Sequence, residues 1–394
     1  MTDKTKRETM RVLFTGGGTG GHIMPGAAAA EALKRLLPGV RCLFLTSGRA
    51  SERSCLGALA EFETATAIAM PWAGTRNKAL FPARAMLSLA RSAAILAAFN
   101  PHVIVGLGTV NCIPLVLAGR MLGIRTALIE ANAIPGRAVR ALAPAVDLVV
   151  TQWPAAISQL RARHAIAAGT PVRQRIFSAS RHEAIRRLAL SPTACTLLVM
   201  GGSQGARALN DALYRALRLV DGAGLDLQVV HLTGPSLLPE ALAQRKRLSM
   251  TYRPIGFLEQ MEDAYAAADF VLSRAGAGTL AQLTGLGLPS ILVPLPGAAD
   301  DHQTANATIL TEAAAAISIR QDELTPVRLA DAICGMAENG PLRTWMGRRA
   351  ASLGKPQAAL TVARELIRLG GFADLLAEDR REHIDFTRHL SQAA

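Results

Sequence analysis

Short apolar runs rich in β-branched residues alternate with longer alanine- and leucine-rich stretches along almost the whole chain. The short runs, bounded by glycine, proline and polar residues, have the length of buried strands; the longer stretches read as helices. In the first half this pattern predicts strands over 10–15 (MRVLFT), 41–47 (RCLFLTS), 102–107 (HVIVGL), 126–130 (TALIE) and 147–151 (DLVVT). In the second half it predicts them over 196–201 (TLLVMG), 227–234 (LQVVHLTG), 269–273 (DFVLS), 289–295 (PSILVPL) and 315–319 (AAISI). Strands that alternate with helices in this way build parallel sheets covered on both faces. The segment 169–183, GTPVRQRIFSASRHE, is polar and irregular, and the interdomain linker is placed there.

Both halves open alike, with a buried strand, a glycine-rich loop and a helix: VLFT-GGGTGG-HIMPG first, LLVM-GGSQG-ARALN second. The fold expected is α/β, two Rossmann-like doubly wound parallel-sheet domains facing across one cleft, since ligands of such sheets bind at the carboxyl ends of the strands. The expected division is 1–172, 173–350 and a C-terminal segment 351–394 whose helices return to the first domain. At 394 residues the chain exceeds one ordinary core, which agrees with two domains. No apolar stretch long enough for a signal peptide precedes the first glycines, and no uninterrupted apolar run of about 18 residues occurs, so a cytoplasmic protein that does not span a membrane is expected. Cys42, Cys55, Cys112, Cys195 and Cys334 are widely spaced without any C-x-x-C pair, which argues for reduced thiols.

The net charge of +13 becomes informative once located. Residues 1–172 carry 19 Lys/Arg against 8 Asp/Glu, whereas 173–394 carry 24 against 22. A basic first half points to a polyanionic partner: nucleic acid, an anionic membrane face or a phosphorylated substrate. An aromatic content of 4% and the lack of a recognisable reading module weigh against nucleic acid.

Glycine-rich strand-to-helix turns bring backbone amides close to phosphate oxygens. Gly16, Gly18 and Gly21 satisfy G-x-G-x-x-G, but the second strand ends in Thr46 and Ser47, where a nicotinamide site wants an acid, and no Gly-Lys-Ser/Thr of a P-loop follows. His22, at the mouth of the loop, is placed to take a proton from an incoming hydroxyl or to stabilise a diphosphate. In the second loop Ser203 and Gln204 add side-chain donors to the backbone amides. Further on, R-A-G-A-G-T (274–279) and D-D-H-Q-x-x-N (300–306) each follow a strand and open a helix. Two such helix starts suit a nucleotide with a diphosphate.

With these residues the chain resembles the bacterial N-acetylglucosaminyltransferases that convert the undecaprenyl-diphosphate muramoyl-pentapeptide lipid into the disaccharide precursor of peptidoglycan, inverting enzymes of the GT-B fold. The matches are GGGTGGHIMPG, ANAIPGR (131–137), GTPVR (169–173), GGSQGARALN and the block ending in DDHQTANA, spanning about 11–310. The resemblance implies that Thr19, Gly20 and Gly21, with His22, face the acceptor diphosphate or the reacting hydroxyl. It implies Asn132 near the donor sugar, Arg173 near its phosphates, Ser203 on the diphosphate and Leu258 on the uracil through its backbone. Ala277, Gly278, Thr279, Leu280 and Ala281 would hold phosphate and ribose, and Gln303 the sugar. The expected base is His22, with Glu130 in reserve, and the expected substrates are UDP-N-acetylglucosamine and a lipid-linked diphosphate acceptor. No metal and no cofactor is expected, because no Asp-x-Asp stands at a suitable strand end and helix starts with Arg173 could carry the leaving charge.

Three motifs depart from the family pattern. H-E-Q-N reads Ile129-Glu130-Ala131-Asn132, G-G-Y-V-S reads Gly108-Thr109-Val110-Asn111-Cys112, and the glutamate that grips the ribose is Gln282. An amide in place of that carboxylate is expected to weaken the grip by about 1 kcal/mol. The segment 70–99 interleaves Trp72, Leu80 and Phe81 with Arg76, Lys78, Arg84 and Arg91, which fits peripheral docking on an anionic leaflet at the cytoplasmic face of the plasma membrane, or else a core helix with a solvated basic face. Alternatives for the whole chain are a related lipid glycosyltransferase with another acceptor, a hydrolysing nucleotide-sugar epimerase, and a UDP-sugar-binding homologue without catalysis.

Overall fold

A computed structural model of the chain describes residues 9–17, 20–46, 60–66, 81–202 and 204–376. They form two compact units. One takes the described residues through Ala131 with Pro135–Arg173 and those from Gln357 on; the other takes Asn132–Ile134 and Gln174–Pro356.

The first unit holds a seven-stranded sheet of β1 (Arg11–Thr15), β2 (Arg41–Thr46), β3 (Glu63–Thr66), β4 (Val103–Gly106), β5 (Arg125–Glu130), β6 (Leu148–Thr151) and β7 (Ala165–Ile166), in the order β3-β2-β1-β4-β5-β6-β7. Every pairing is parallel. Successive side chains of β1 go to opposite faces, as a strand requires. Val12 and Phe14 join a core with the alanine-rich face of the Gly20–Leu36 helix and with Val362, Ala363 and Leu366 of the Ala358–Leu369 helix. Leu13 joins the opposite core with Ile104, Leu128, Leu96 and Val116. The Phe14 and Phe44 rings, in register on neighbouring strands, stack at 4.7 Å. Truncating either to alanine removes a fully packed ring, a loss of about 3–5 kcal/mol.

The second unit holds a six-stranded parallel sheet of β8 (Cys195–Met200), β9 (Leu227–Leu232), β10 (Thr251–Ile255), β11 (Phe270–Ser273), β12 (Ser290–Leu292) and β13 (Ala316–Ser318), in the order β10-β9-β8-β11-β12-β13. The Arg207–Asp221 helix buries Leu209, Leu213, Ala216, Leu217 and Val220 at helical spacing, so one stripe faces the sheet while Arg207 and Leu219 face water.

All ten predicted strands are present with ends shifted by up to a few residues, and three more appear among the described residues. These three, β3, β7 and β10, are edge strands. Having only one neighbour, they need no continuous apolar run: all four residues of β3 are exposed, and β10 carries Pro254, which a central strand would exclude. Strand order reverses between β1 and β4 in one sheet and between β8 and β11 in the other. Chains leaving in opposite directions open a crevice at each of those points, and there the glycine loops lie.

Candidate active site

In the first unit, Leu107 donates its N–H to the carbonyl of Thr15 at 2.8 Å, which draws the loop after β4 onto the loop after β1. Gly16 has φ +136°, and a Cβ there would come within 3.0 Å of Leu107 Cβ and 3.2 Å of Thr109 Oγ1, so only glycine fits. The Thr109 hydroxyl is buried and hydrogen-bonds nothing among the described residues. His22 lies in the first turns of the helix that follows: a Cβ on Gly108 would stand 3.9 Å from His22 Cδ2. Glu130, the last residue of β5, is 3% exposed and accepts the Gly136 N–H on Oε2 at 2.7 Å. A Cβ on Gly136 would meet both that carboxylate, at 3.6 Å, and the Gly108 carbonyl, at 3.7 Å. His22 and Glu130 are thus carried to the same end of the sheet, both close to the 106–109 turn. An imidazole and an anchored carboxylate at strand ends form an acid–base constellation. Gly20 and Gly21 open the helix, while Thr19 lies outside the described residues.

Arg173 is also in this unit, where its guanidinium pairs with Glu31 of the Gly20–Leu36 helix. That pairing occupies the cation expected at the donor phosphates.

The second unit builds three elements at its strand ends. The loop 201–206 presents an exposed Gln204, with Ser203 outside the described residues. Gly205, φ +75°, packs so closely on the turn after β9 that a Cβ would lie 2.0 Å from the Thr233 carbonyl oxygen. A buried chain of hydrogen bonds fixes that turn. Asn210 Nδ2 donates to Thr233 O at 3.1 Å, leaving Asn210 Oδ1 to accept from His231 Nε2 at 3.1 Å. The other ring nitrogen, Nδ1, then accepts the Tyr252 hydroxyl at 2.7 Å. Burial holds the His231 imidazole down to about 3, so it stays neutral and this one tautomer satisfies every partner.

The second element is the Ala277–Leu286 helix. Its N-cap, Gly276, offers no side chain to the first-turn amides, and a Cβ on Gly278 would meet nothing within 4 Å. The first-turn amides of Ala277, Gly278 and Thr279 therefore have no side-chain cap from Gly276, an arrangement that can receive anions. Leu280 and Ala281 are buried behind them. Gln282 accepts the Tyr265 hydroxyl on Oε1 at 2.5 Å. Buried Arg274 ties the ends of two strands together, donating to the carbonyls of Val293 (3.1 Å) and Pro294 (3.2 Å) and to Gln321 Oε1 (2.7 Å).

The third element precedes the His302–Glu312 helix, where Asp300 and Asp301 both have positive φ, 52° and 50°. Non-glycine residues seldom hold that conformation, and where they do it often marks a functional turn. Gln303 Oε1 accepts the Leu295 N–H at 3.0 Å. Fully buried Asn306 accepts the Ala133 N–H at 2.8 Å and donates to Asn132 Oδ1 and Ala275 O, both at 3.2 Å. Asn132 is in this way brought beside the 274–279 turn, within the second unit. Leu258 sits in the loop between β10 and the Met261–Ala267 helix.

The chain matches the glycosyltransferase family 28 N-terminal domain over residues 12–151 and the family 28 C-terminal domain over 196–362. It is 36% identical over 352 residues to the UDP-N-acetylglucosamine--N-acetylmuramyl-(pentapeptide) pyrophosphoryl-undecaprenol N-acetylglucosamine transferase of Syntrophus aciditrophicus, covering 89% of this chain and 96% of that protein. The chain belongs to this transferase family. A crystal structure of Acinetobacter baumannii MurG shares the fold with a TM-score of 0.74 at 25% identity, covering 92% of this chain and 99% of that one. A putative UDP-N-acetylglucosamine 2-epimerase from Listeria monocytogenes has the same fold at 14% identity and TM-score 0.66. Together these establish the two-domain α/β GT-B class.

Sequence reasoning passed over Asn210, His231, Tyr252, Tyr265 and Gly136 as site-building residues. His231 and Tyr252 lie inside strands, where a polar residue in an apolar run is the available signal. Tyr265 meets Gln282 only through tertiary packing.

Proposed function

We propose that this chain transfers N-acetylglucosamine from UDP-N-acetylglucosamine to the N-acetylmuramyl-pentapeptide borne on pyrophosphoryl-undecaprenol, with inversion at the anomeric carbon. The observation that carries the assignment of roles is the placing of His22 and Glu130 close to the turn after β4, at the carboxyl ends of β1, β4 and β5. His22 removes the proton from the attacking acceptor hydroxyl. Glu130, fixed by Gly136, sets the local field for the imidazolium that forms. The loop amides from Gly16 to Gly21, with Thr19, receive the acceptor diphosphate.

On the donor side the uncapped amides of Ala277, Gly278 and Thr279 stabilise the charge that develops on the departing diphosphate. Ser203 and Gln204 add donors to it. Asn132 and Gln303 contact the sugar, Gln282 the ribose and Leu258 the uracil. Arg173, paired with Glu31, reaches the phosphates only by exchanging that partner.

The enzyme works at the cytoplasmic face of the plasma membrane. No helix among the described residues is long and apolar enough to cross a bilayer. The Phe81–Phe99 helix instead exposes Met86 (69%) and Leu87 (49%) while burying Leu96 and Phe99. The helix therefore carries both exposed and buried apolar residues, and Trp72, Arg76, Lys78 and Leu80 lie outside the described residues. Apolar side chains with nearby cations bind an anionic leaflet peripherally. The test is transfer of labelled N-acetylglucosamine to the lipid acceptor by the purified protein, with sedimentation on anionic and neutral liposomes in parallel. Release of free UDP without any acceptor would favour the epimerase chemistry instead.

A further inference from the structure

Beneath the first sheet's carboxyl edge lies a cavity of about 320 Å³ that none of the proposed substrate contacts uses, its Arg91 having been read above only as a docking cation. It is bounded by the last residues of two strands, Thr15 of β1 and Thr66 of β3, and by the Phe81–Phe99 helix. That helix turns Ser88 and Ser92, one turn apart and 2% and 7% exposed, toward it, with the exposed Arg91 at its rim. Asn111 adds an amide. Two further walls, Ile95 and Leu115, are apolar. No carboxylate among the described residues pairs with Arg91.

This lining discriminates between anions. A diphosphate carries more charge than one guanidinium neutralises, and it gains nothing from apolar walls. A single carboxylate with short alkyl groups fits better: the guanidinium fork matches its two oxygens, hydroxyls and amide take the neighbouring peptide groups, and the apolar walls cover the alkyl groups. The volume lies at the low end of small-ligand pockets, enough for the end of a peptide and not for a whole glycolipid. Thr15 directly precedes Gly16, so the cavity adjoins the loop assigned to the acceptor.

We infer that this cavity is a subsite for the carboxylate end of the acceptor's peptide, with Arg91 as its specificity-determining cation. The inference rests on the transferase reading above. It is tested by calorimetric titration of the full chain with N-acetyl-alanyl-alanine, its C-terminal amide and inorganic diphosphate, and by kinetics with a pentapeptide acceptor and a peptide-free analogue. Expected are binding of the free dipeptide, at least about tenfold weaker binding of the amide, and loss of dipeptide binding in Arg91→Gln. In transfer, Arg91→Gln and Ser92→Ala raise KM for the pentapeptide acceptor by about tenfold and about threefold with kcat retained, and leave the peptide-free analogue unchanged. Equal binding of acid and amide, displacement of the dipeptide by diphosphate, or an equal KM rise with the peptide-free analogue would overturn it; the last would assign Arg91 to membrane or phosphate contact. If no acceptor supports transfer, the functional reading falls, and the dipeptide titration still decides the cavity.

Discussion

Gln282→Glu restores a carboxylate where the family pattern has one, and the structure makes its effect calculable. In the native chain Gln282 Oε1 is already taken by the Tyr265 hydroxyl at 2.5 Å, which leaves the amide NH₂ to face a ligand. The side chain can therefore donate to a ribose hydroxyl but has no second oxygen to accept from one. A carboxylate keeps Tyr265 on one oxygen and presents the other, charged, to the ribose. Burial pushes the Tyr265 phenol well above its ordinary value, so it remains a donor throughout the working pH range. Hydrogen bonds to charged groups contribute about 1.5–3 kcal/mol against about 0.5–1.5 for neutral ones, so the gain is about 1 kcal/mol after partial desolvation of the half-buried side chain. UDP and UDP-N-acetylglucosamine should then bind about fivefold tighter to Gln282→Glu by calorimetry. The gain must vanish with the 2′,3′-dideoxyribose analogue of UDP. An unchanged affinity, or the same gain with that analogue, would show that Gln282 does not meet the ribose.

Further outcomes follow from the same geometry. His22→Ala should lower kcat by about 10²–10⁴ with little change in UDP affinity; full turnover would remove His22 from the chemistry. Asn210→Asp keeps an acceptor for His231 but loses the donor to Thr233 O, so donor KM should rise; an unaltered KM would confine the network to stability. Gly205→Ala forces a Cβ to 2.0 Å from a backbone oxygen at φ +75° and should cost at least about 2 kcal/mol together with UDP binding. For His231, the ordinary value near 6.5 falls to about 3 in the fold, so only the unfolded chain takes up a proton between them. Stability is full above pH 6.5 and declines as pH falls toward 3, by up to about 5 kcal/mol, and urea midpoints of His231→Gln should show a flatter profile over that window.

The central strands, both glycine loops and the α/β class were legible because each is written in contiguous residues: an apolar run, then glycines, then a helix. The edge strands were hidden because β3 is exposed at every position and β7 has two residues. Within the site, His22 and Glu130 could be named from their places at a loop mouth and a strand end. What holds them could not be. Gly136 reaches Glu130 across a loop, Asn306 reaches Asn132 across 174 positions, and Tyr265 reaches Gln282 from another helix. Arg173 shows the converse limit. Its pairing with Glu31, far away in sequence, is invisible to motif reading.

The two glycine loops share a sequence style but are fixed by different physics. Gly16 and Gly108 pack so closely on Leu107, Thr109 and Ile129 that a side chain has no room, and the Thr109 hydroxyl has no partner among the described residues. Gly205 and Gly234 are instead clasped against each other by a turn that a neutral buried histidine secures through Asn210. The difference matches the proposed roles, with the 201–206 loop at the leaving diphosphate and the Gly16 loop at the acceptor. Charge develops on the leaving diphosphate at the moment of bond cleavage, and amides that stabilise it work only if they are already in place, since reorganising them would return the gain. An acceptor diphosphate carries the same charge before and after the reaction, so its loop has to bind without having to be preset. Loosening the His231 relay should therefore lower kcat as well as donor affinity, whereas loosening the Gly16 loop should change the acceptor KM alone. A His231→Gln enzyme with full kcat and weakened donor binding would break that distinction.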